Sequence, residues 1–108
     1  MTIDKLMNKN VDGMVMDFEL VGIWDKILAM GYLEDKVKIV RLETGIVNTY
    51  VGDLFGLLNN ELGIVRDAWY VIMKLNGYDS SVEYDGREWL LIPDPDAIED
   101  ILEKIKNR

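Results

Sequence analysis

The sequence contains no cysteine and no histidine, and only two of its 108 residues are proline. Without cysteine, the chain has no disulfides, thiolate nucleophiles or thiolate metal ligands. Without histidine, the usual zinc sites and imidazole general bases are excluded as well. The scarcity of proline and the 49% hydrophobic content predict an ordered chain. The length predicts one domain, residues 1–108, that buries its own core.

Long hydrophobic runs and glycine-rich loops are also missing. No apolar run approaches the roughly 18 residues of a membrane span, and residues 1–13, a predicted N-terminal arm, lack the apolar core of a signal peptide. The nine glycines are scattered and form no phosphate-binding loop. Only carboxylates remain for acid–base chemistry, and no pair of them is placed convincingly. We therefore expect a cytoplasmic protein that is not an enzyme and uses no cofactor.

Acidic residues are the main surplus, and they give the chain a net charge of −8. Five of them form a run near the C-terminus: Asp94, Asp96, Glu99, Asp100 and Glu103. Carboxylates in the first turn of a helix are favoured by the helix dipole and the free N–H groups. This explanation is simpler than a cation site, since the glycine pattern of a calcium loop is missing. We predict no metal site.

The first clear element is a helix that follows Asp17. Its apolar residues recur at helical spacing: Leu20, Ile23, Trp24, Ile27 and Leu28. Asp17 suits the N-cap, and Gly31 suits the left-handed exit.

Residues 36–42 alternate charged and β-branched side chains, a pattern typical of a strand. The following stretch, 46–52, is ambiguous. It fits the second strand of a hairpin over 37–51, or a connection into the next helix.

Two helices are predicted next, separated by Gly63. Asp53 is a good N-cap for the first, residues 54–62. The second, residues 64–76, has helical apolar spacing at Ile64, Ala68, Ile72 and Leu75. The apolar run 68–73 also fits a buried strand, so a strand over 68–75 is the alternative.

The C-terminal third predicts a hairpin and a helix. Residues 81–83 and 88–92 have the character of strands around Asp85-Gly86, a strong hairpin signal. A final helix over 94–108 begins either with an Asp96–Glu99 capping box or with Pro95 under an Asp94 cap.

This order of elements resembles the winged helix-turn-helix superfamily. The resemblance covers residues 50–92, with the helix after Asp17 as support. It is carried by the apolar helix positions Leu54, Leu58, Ile64, Ala68, Ile72 and Leu75, by Gly63 and Gly77-Tyr78, and by the Asp85-Gly86-Arg87 tip. It implies an α+β fold with a three-helix core, a small antiparallel sheet and wing, and a C-terminal helix.

The resemblance also implies a DNA-reading surface on helix 64–76 and wing 82–92. Arg66 and Tyr70 are expected to approach bases, Lys74 a phosphate, and Arg87 the minor groove or the backbone. The chain is then a small transcriptional regulator. The bland interpretation of the same four residues is a solvated helix face and loop.

Charge argues against DNA. Residues 51–92 hold seven acids and three bases, a net charge of −4, whereas phosphate contacts supply most of the non-specific affinity. The alternative function is an acidic protein-interaction module, such as an assembly subunit or a nucleic-acid-mimicking inhibitor. The last helix has one apolar face that covers the core or pairs with a second copy in a homodimer: Ile98, Ile101, Leu102 and Ile105.

Overall fold

A computed structural model describes residues 18–106, so the predicted arm over residues 1–13 and the Asp17 cap lie outside the described residues. Within that range the chain is an α+β fold with five α-helices and a two-stranded antiparallel sheet. The elements in chain order are α1 (Phe18–Ala29), β1 (Val37–Arg41), α2 (Thr44–Thr49), α3 (Leu54–Asn60), α4 (Trp69–Leu75), β2 (Trp89–Pro93) and α5 (Pro95–Lys106). Short 3-10 turns occupy Arg66–Ala68 and Ser81–Glu83.

Helix α1 forms where the apolar spacing predicted it. Trp24 is fully buried, and its indole N–H donates to the backbone carbonyl of Asp67 at 2.8 Å. Gly31 adopts φ +71°, the left-handed exit expected of a glycine at this position. One buried indole therefore ties the first helix to the start of α4.

Strands β1 and β2 pair over their full length, from Val37 opposite Pro93 to Arg41 opposite Trp89. The predicted strand at 36–42 is confirmed. The alternative hairpin over 37–51 is wrong, because residues after the strand turn into α2 instead of returning along it. The sheet is thus built from segments far apart in sequence.

Helices α3 and α4 are the helix pair that the sequence predicts around Gly63. Asp53 caps α3 as expected, its carboxylate accepting the Gly56 N–H at 2.9 Å. The strand alternative for 68–75 is wrong, since α4 is helical, although it is shorter than the predicted 64–76. Gly77 follows α4 with φ +84°.

The predicted hairpin wing is not formed. Residues 81–83 make a 3-10 turn, because the buried Ser81 hydroxyl accepts the Phe55 N–H at the start of α3 at 2.9 Å. Tyr84 is buried in the core, and its carbonyl accepts the Gly52 N–H at 2.8 Å. The Asp85-Gly86 turn is therefore held against the α2–α3 connection and closes no hairpin.

Helix α5 begins by the second of the two predicted routes. Asp94 is the cap, with its carboxylate accepting the Asp96 N–H at 3.1 Å, and Pro95 is the first helical residue.

The core lies where α1, α3, α4, β2 and α5 meet. Its fully buried large side chains are Trp24, Tyr84, Leu33, Leu54, Leu57, Leu58, Ile72, Leu90, Val47, Val71 and Pro93. Burial of this apolar surface supplies the main favourable free energy of folding.

Candidate functional site

Helix α4 follows a 3-10 turn over Arg66–Ala68, and it is buried over most of its surface, since Trp69, Val71, Ile72 and Met73 are all buried. Ala68 and Ile72 are fully buried, while Ile64 and Leu75 are half-buried against the same core. Three of the predicted DNA-binding residues are less buried: Arg66, in the 3-10 turn, is exposed, and Tyr70 and Lys74, on α4, are half-buried. What these three contact decides what that surface can do.

Two of the three are held by carboxylates of the same chain. The Tyr70 hydroxyl donates to Asp25 of α1 at 2.7 Å, and burial together with this carboxylate raises the pKa of Tyr70. The Lys74 ammonium donates to Asp79 at 2.8 Å, which raises the pKa of Lys74 and lowers that of Asp79. On this part of α4 the phenol hydroxyl and the ammonium group are therefore already bonded to neighbouring acids.

Arg66 is exposed at the start of the helical segment. Its guanidinium lies 5.9 Å from the ring centre of Trp69, and it makes no ion pair within residues 18–106. The neighbouring Asp67 is also exposed. Lys74 is therefore paired with a carboxylate, whereas Arg66 contacts no carboxylate of the described chain.

Arg87 does not project from a wing tip. Its guanidinium donates to the side-chain carbonyl of Asn76 at 2.6 Å, and its Nε donates to the Trp89 carbonyl at 2.9 Å. It also stacks 4.0 Å from the Trp89 ring centre and 5.3 Å from that of Tyr78. Arg87 thus links the end of α4 to β2, and its polar atoms are occupied inside the fold.

The partner of Arg87, Asn76, closes one edge of the sheet. This buried side chain accepts the Leu91 N–H at 2.7 Å and donates to the Leu91 carbonyl at 3.0 Å, as a neighbouring strand would. Pro93, also on β2, has no N–H to satisfy. The outer edge of β2 is therefore covered by side chains.

The outer edge of β1 is open. The bonds from Leu42 N–H to Glu88 at 2.8 Å and from Asp94 N–H to Lys36 at 2.7 Å show that the even-numbered residues of the strand face β2. The N–H and C=O groups of the odd-numbered residues point the other way: Val37, Ile39 and Arg41. No residue of the described chain hydrogen-bonds to them.

The side chains along this open edge are cationic and apolar. Residues 36–42 contain three cations and no acid, in a chain whose net charge is −8. Lys38 and Arg41 are exposed and form no ion pair within residues 18–106, whereas Lys36 lies 3.1 Å from Asp35. Between them Ile39 is 57% exposed.

The predicted dimer residues on α5 lie mostly against the chain's own core. Ile98 and Ile101 are buried, and Leu102 and Ile105 are half-buried. A groove of about 440 Å³ runs between α5 and the α3–α4 turn, with Glu99 and Glu103 in its lining. Pairing through α5 stays a prediction, and only Leu102 and Ile105 offer it partly free apolar surface.

Residues 18–106 contain neither a metal-binding cluster nor a membrane-spanning helix. No group of three or more acidic side chains is placed to hold a metal ion. No helix in that range has the length and apolarity needed to cross a bilayer.

Sequence reasoning missed the residues that distinguish the two sheet edges. Asn76 looks like an ordinary helix end, because its role depends on the distant β2 strand. The open edge had a signal in the acid-free run 36–42. Which backbone groups face outward, however, follows only from the pairing with β2.

Comparison with protein-family models, with curated proteins and with solved structures finds no match to this chain.

Proposed function

We propose that this chain is a protein-binding module with a winged-helix-like arrangement, and that it does not grip DNA through α4. The observation that carries the proposal is that the polar side chains of α4 are already bonded to acids of the same chain. Asp25 and Asp79 occupy Tyr70 and Lys74, the two residues that would otherwise meet bases and phosphate. Because the Lys74 charge is already paired with Asp79, it contributes little to binding a polyanion.

The order of elements supports the winged-helix part of the proposal. A helix, a strand, the short helix α2, the helix pair α3–α4 and a returning strand follow one another, and the returning strand pairs with the first. The place of a third strand beside β2 is taken by the Asn76 amide and the Arg87 guanidinium. The arrangement therefore supports a winged-helix domain whose wing is replaced by a packed loop.

Electrostatics supports the protein-binding part. Non-specific DNA affinity depends on the number of phosphates that free cations neutralise. Among the predicted contacts, Arg66 has an exposed guanidinium that no carboxylate of residues 18–106 contacts, and the chain as a whole carries net charge −8. Protein partners tolerate this balance, because interfaces are built around apolar centres with polar rims.

A DNA titration tests the proposal. We expect no shift of a random-sequence duplex in gels at low salt, where electrostatic binding is strongest. The variant Asp25→Asn with Asp79→Asn frees Tyr70 and Lys74, and we expect it to gain weak, salt-sensitive binding. Tight binding by the unmodified chain, lost in Arg66→Glu, would contradict the proposal.

Affinity capture from a lysate, with and without nuclease, asks directly for the class of partner. We expect a retained protein whose recovery is unchanged by nuclease. A partner that disappears after nuclease treatment would show that nucleic acid carries the association.

The second candidate function is a DNA-binding transcriptional regulator that reads DNA through residues 64–76 and 82–92. The exposed Arg66 at the start of the helical segment favours it. A homodimer would help this candidate, since two copies double the number of cations presented to the duplex.

A further inference from the structure

The open edge of β1 has both hydrogen-bonding groups of three alternate residues unused. Val37, Ile39 and Arg41 each direct an N–H and a C=O away from β2, and no other part of the described chain meets them. Such an edge accepts an extended peptide as an additional strand, because the main-chain bonds supply affinity whatever the peptide's sequence. The opposite edge offers no such place, since Asn76 already binds both backbone groups of Leu91.

We infer that the open edge of β1 binds an acidic extended peptide of a partner protein as a third strand. The inference rests on the proposed protein-binding function and names the site and the chemistry of the partner.

The cations of the β1 edge favour a negatively charged partner. Lys38 and Arg41 are exposed, have no carboxylate partner in the described chain, and lie in a seven-residue run without an acid. Their side chains alternate, so Arg41 stands on one face of the sheet and Lys38 on the other. A bound strand with carboxylates on both faces can therefore pair with each cation across the edge.

The exposed side chain of Ile39 favours an apolar residue at the centre of the bound peptide. Ile39 is 57% exposed and lies directly opposite Leu91, on the face that also carries Trp89. A β-branched or aromatic side chain of the bound strand would cover Ile39 and regain the apolar burial that the free protein lacks. The expected partner segment thus has a β-branched or aromatic residue flanked by acids.

The same cations argue against a second copy of this chain as the occupant. Pairing two β1 strands edge to edge would bring two copies of Lys38 and of Arg41 into one four-stranded sheet. Like charges on adjacent strands are destabilising, and lysine on an edge strand is a common defence against such pairing.

The test uses the full chain and a pool of synthetic peptides of about ten residues, the upper range of strand length, in which a central Val, Ile or Tyr has Glu or Asp at the two positions on each side, so that carboxylates lie on both faces of the bound strand. We expect calorimetry to detect binding, and amide exchange to slow at Ile39 and Arg41 when the pool is added. A pool with lysine in place of the acids should bind at least about tenfold more weakly, because each cross-strand pair changes from attraction to repulsion. A pool interrupted by proline should not bind, since it lacks the donors.

A charge-reversal variant tests the site. Lys38→Glu with Arg41→Glu should weaken the acidic pool by about tenfold and strengthen the lysine pool. The matched control is Lys26→Glu with Lys104→Glu, which makes the same change in net charge at exposed positions on α1 and α5. The control should keep the preference for acids, because these cations do not lie on the edge.

Several results would overturn the inference. These are no binding of the acidic pool, equal binding of both pools, slowed exchange elsewhere than at β1, or a concentration-dependent dimer through β1. In each of these cases the protein-binding function stands if DNA still fails to bind and a nuclease-resistant partner is still captured. Duplex binding at low salt that depends on Arg66 would instead remove the proposed function itself.

Discussion

The two edges of the small sheet are treated in opposite ways. On the β2 side, the Asn76 amide and the Arg87 guanidinium occupy the outward backbone groups of Leu91 and the carbonyl of Trp89. On the β1 side, the outward backbone groups of Val37, Ile39 and Arg41 have no hydrogen-bond partner among residues 18–106. A two-stranded sheet depends on contacts with the rest of the fold for its stability, because an isolated pair of strands is barely stable in water.

The two edges therefore have different roles: one contributes to the stability of the fold, and the other is available to bind a partner. The closed edge is internal structure, since the Asn76 amide is buried and its bonds to Leu91 are partly buried, so that these polar groups must be satisfied within the fold. The open edge costs little to leave open, since water satisfies its exposed backbone groups. Changes at the closed edge should therefore reduce stability, and changes at the open edge should alter binding with little effect on stability.

The largest expected effect is that of Asn76→Ala. The substitution removes an amide that makes hydrogen bonds to Leu91, to the Ile72 carbonyl and to Arg87, and it leaves buried groups unsatisfied. We expect a loss of about 3 kcal/mol in the free energy of unfolding. Urea denaturation measures it. Asn59→Ala, at an exposed position on α3, is the control and should change stability by less than about 0.5 kcal/mol.

The next effect is a loss of stability at high pH through Tyr84. Burial raises the pKa of this phenol to about 12 from 10.0, and its hydroxyl donates to the Arg87 carbonyl at 2.6 Å. The folded state therefore favours the protonated phenol. Its contribution is complete below about pH 10 and is lost as the pH rises toward 12, with about 1.4 kcal/mol gone by pH 11.

Denaturation at a series of pH values up to about pH 11 checks this. Tyr84→Phe has no phenol to ionise, and its stability should fall less steeply over the same interval. Equal slopes for the two proteins would show that Tyr84 ionises freely in the fold.

A smaller effect distinguishes two arginines near Trp89. Arg87→Gln should lower the free energy of unfolding by about 1 to 2 kcal/mol, because it breaks charge-assisted bonds to Asn76 and to Trp89. Arg41→Gln should change stability by less than about 0.5 kcal/mol, since its guanidinium has no bond in the described chain. Thermal or urea unfolding of the pair measures the contrast. Equal losses would mean that the edges do not differ.

The last prediction needs no substitution. Amide hydrogen exchange of the unmodified chain compares the backbone N–H groups of the two edges directly. Val40 N–H, which faces β2, should exchange slowly, and Ile39 N–H, which faces outward, should exchange quickly although both lie within one strand. Leu91 N–H should be slow because Asn76 accepts it. In Asn76→Ala the Leu91 amide should become as fast as that of Ile39.

Local patterns predicted the helices well. The spacing of apolar residues, together with Asp53 as a cap and Gly31 and Gly77 as exits, located α1, α3 and α4. These signals act within a few residues, so one sequence contains them in full. The class, α+β with a small antiparallel sheet, followed from the same patterns.

The wing was predicted incorrectly because a strong local signal lost to distant contacts. Asp85-Gly86 favours a hairpin, but Ser81 is held by Phe55 and Asn76 occupies the edge that a wing strand needs. The hydrogen bond that occupies the Tyr70 hydroxyl was hidden for the same reason. Its partner, Asp25, lies 45 residues away on α1.

The partial exposure of Trp89 has a consequence for the fluorescence of the protein. Trp24 and Trp69 are buried, with their indole N–H groups donated to the carbonyls of Asp67 and Ile64, whereas Trp89 is 38% exposed on the outer face of the sheet. A water-soluble collisional quencher should therefore reach Trp89 first. Since Trp89 lies opposite Arg41, its emission is a built-in gauge of what happens at the β1 edge, readable without a label.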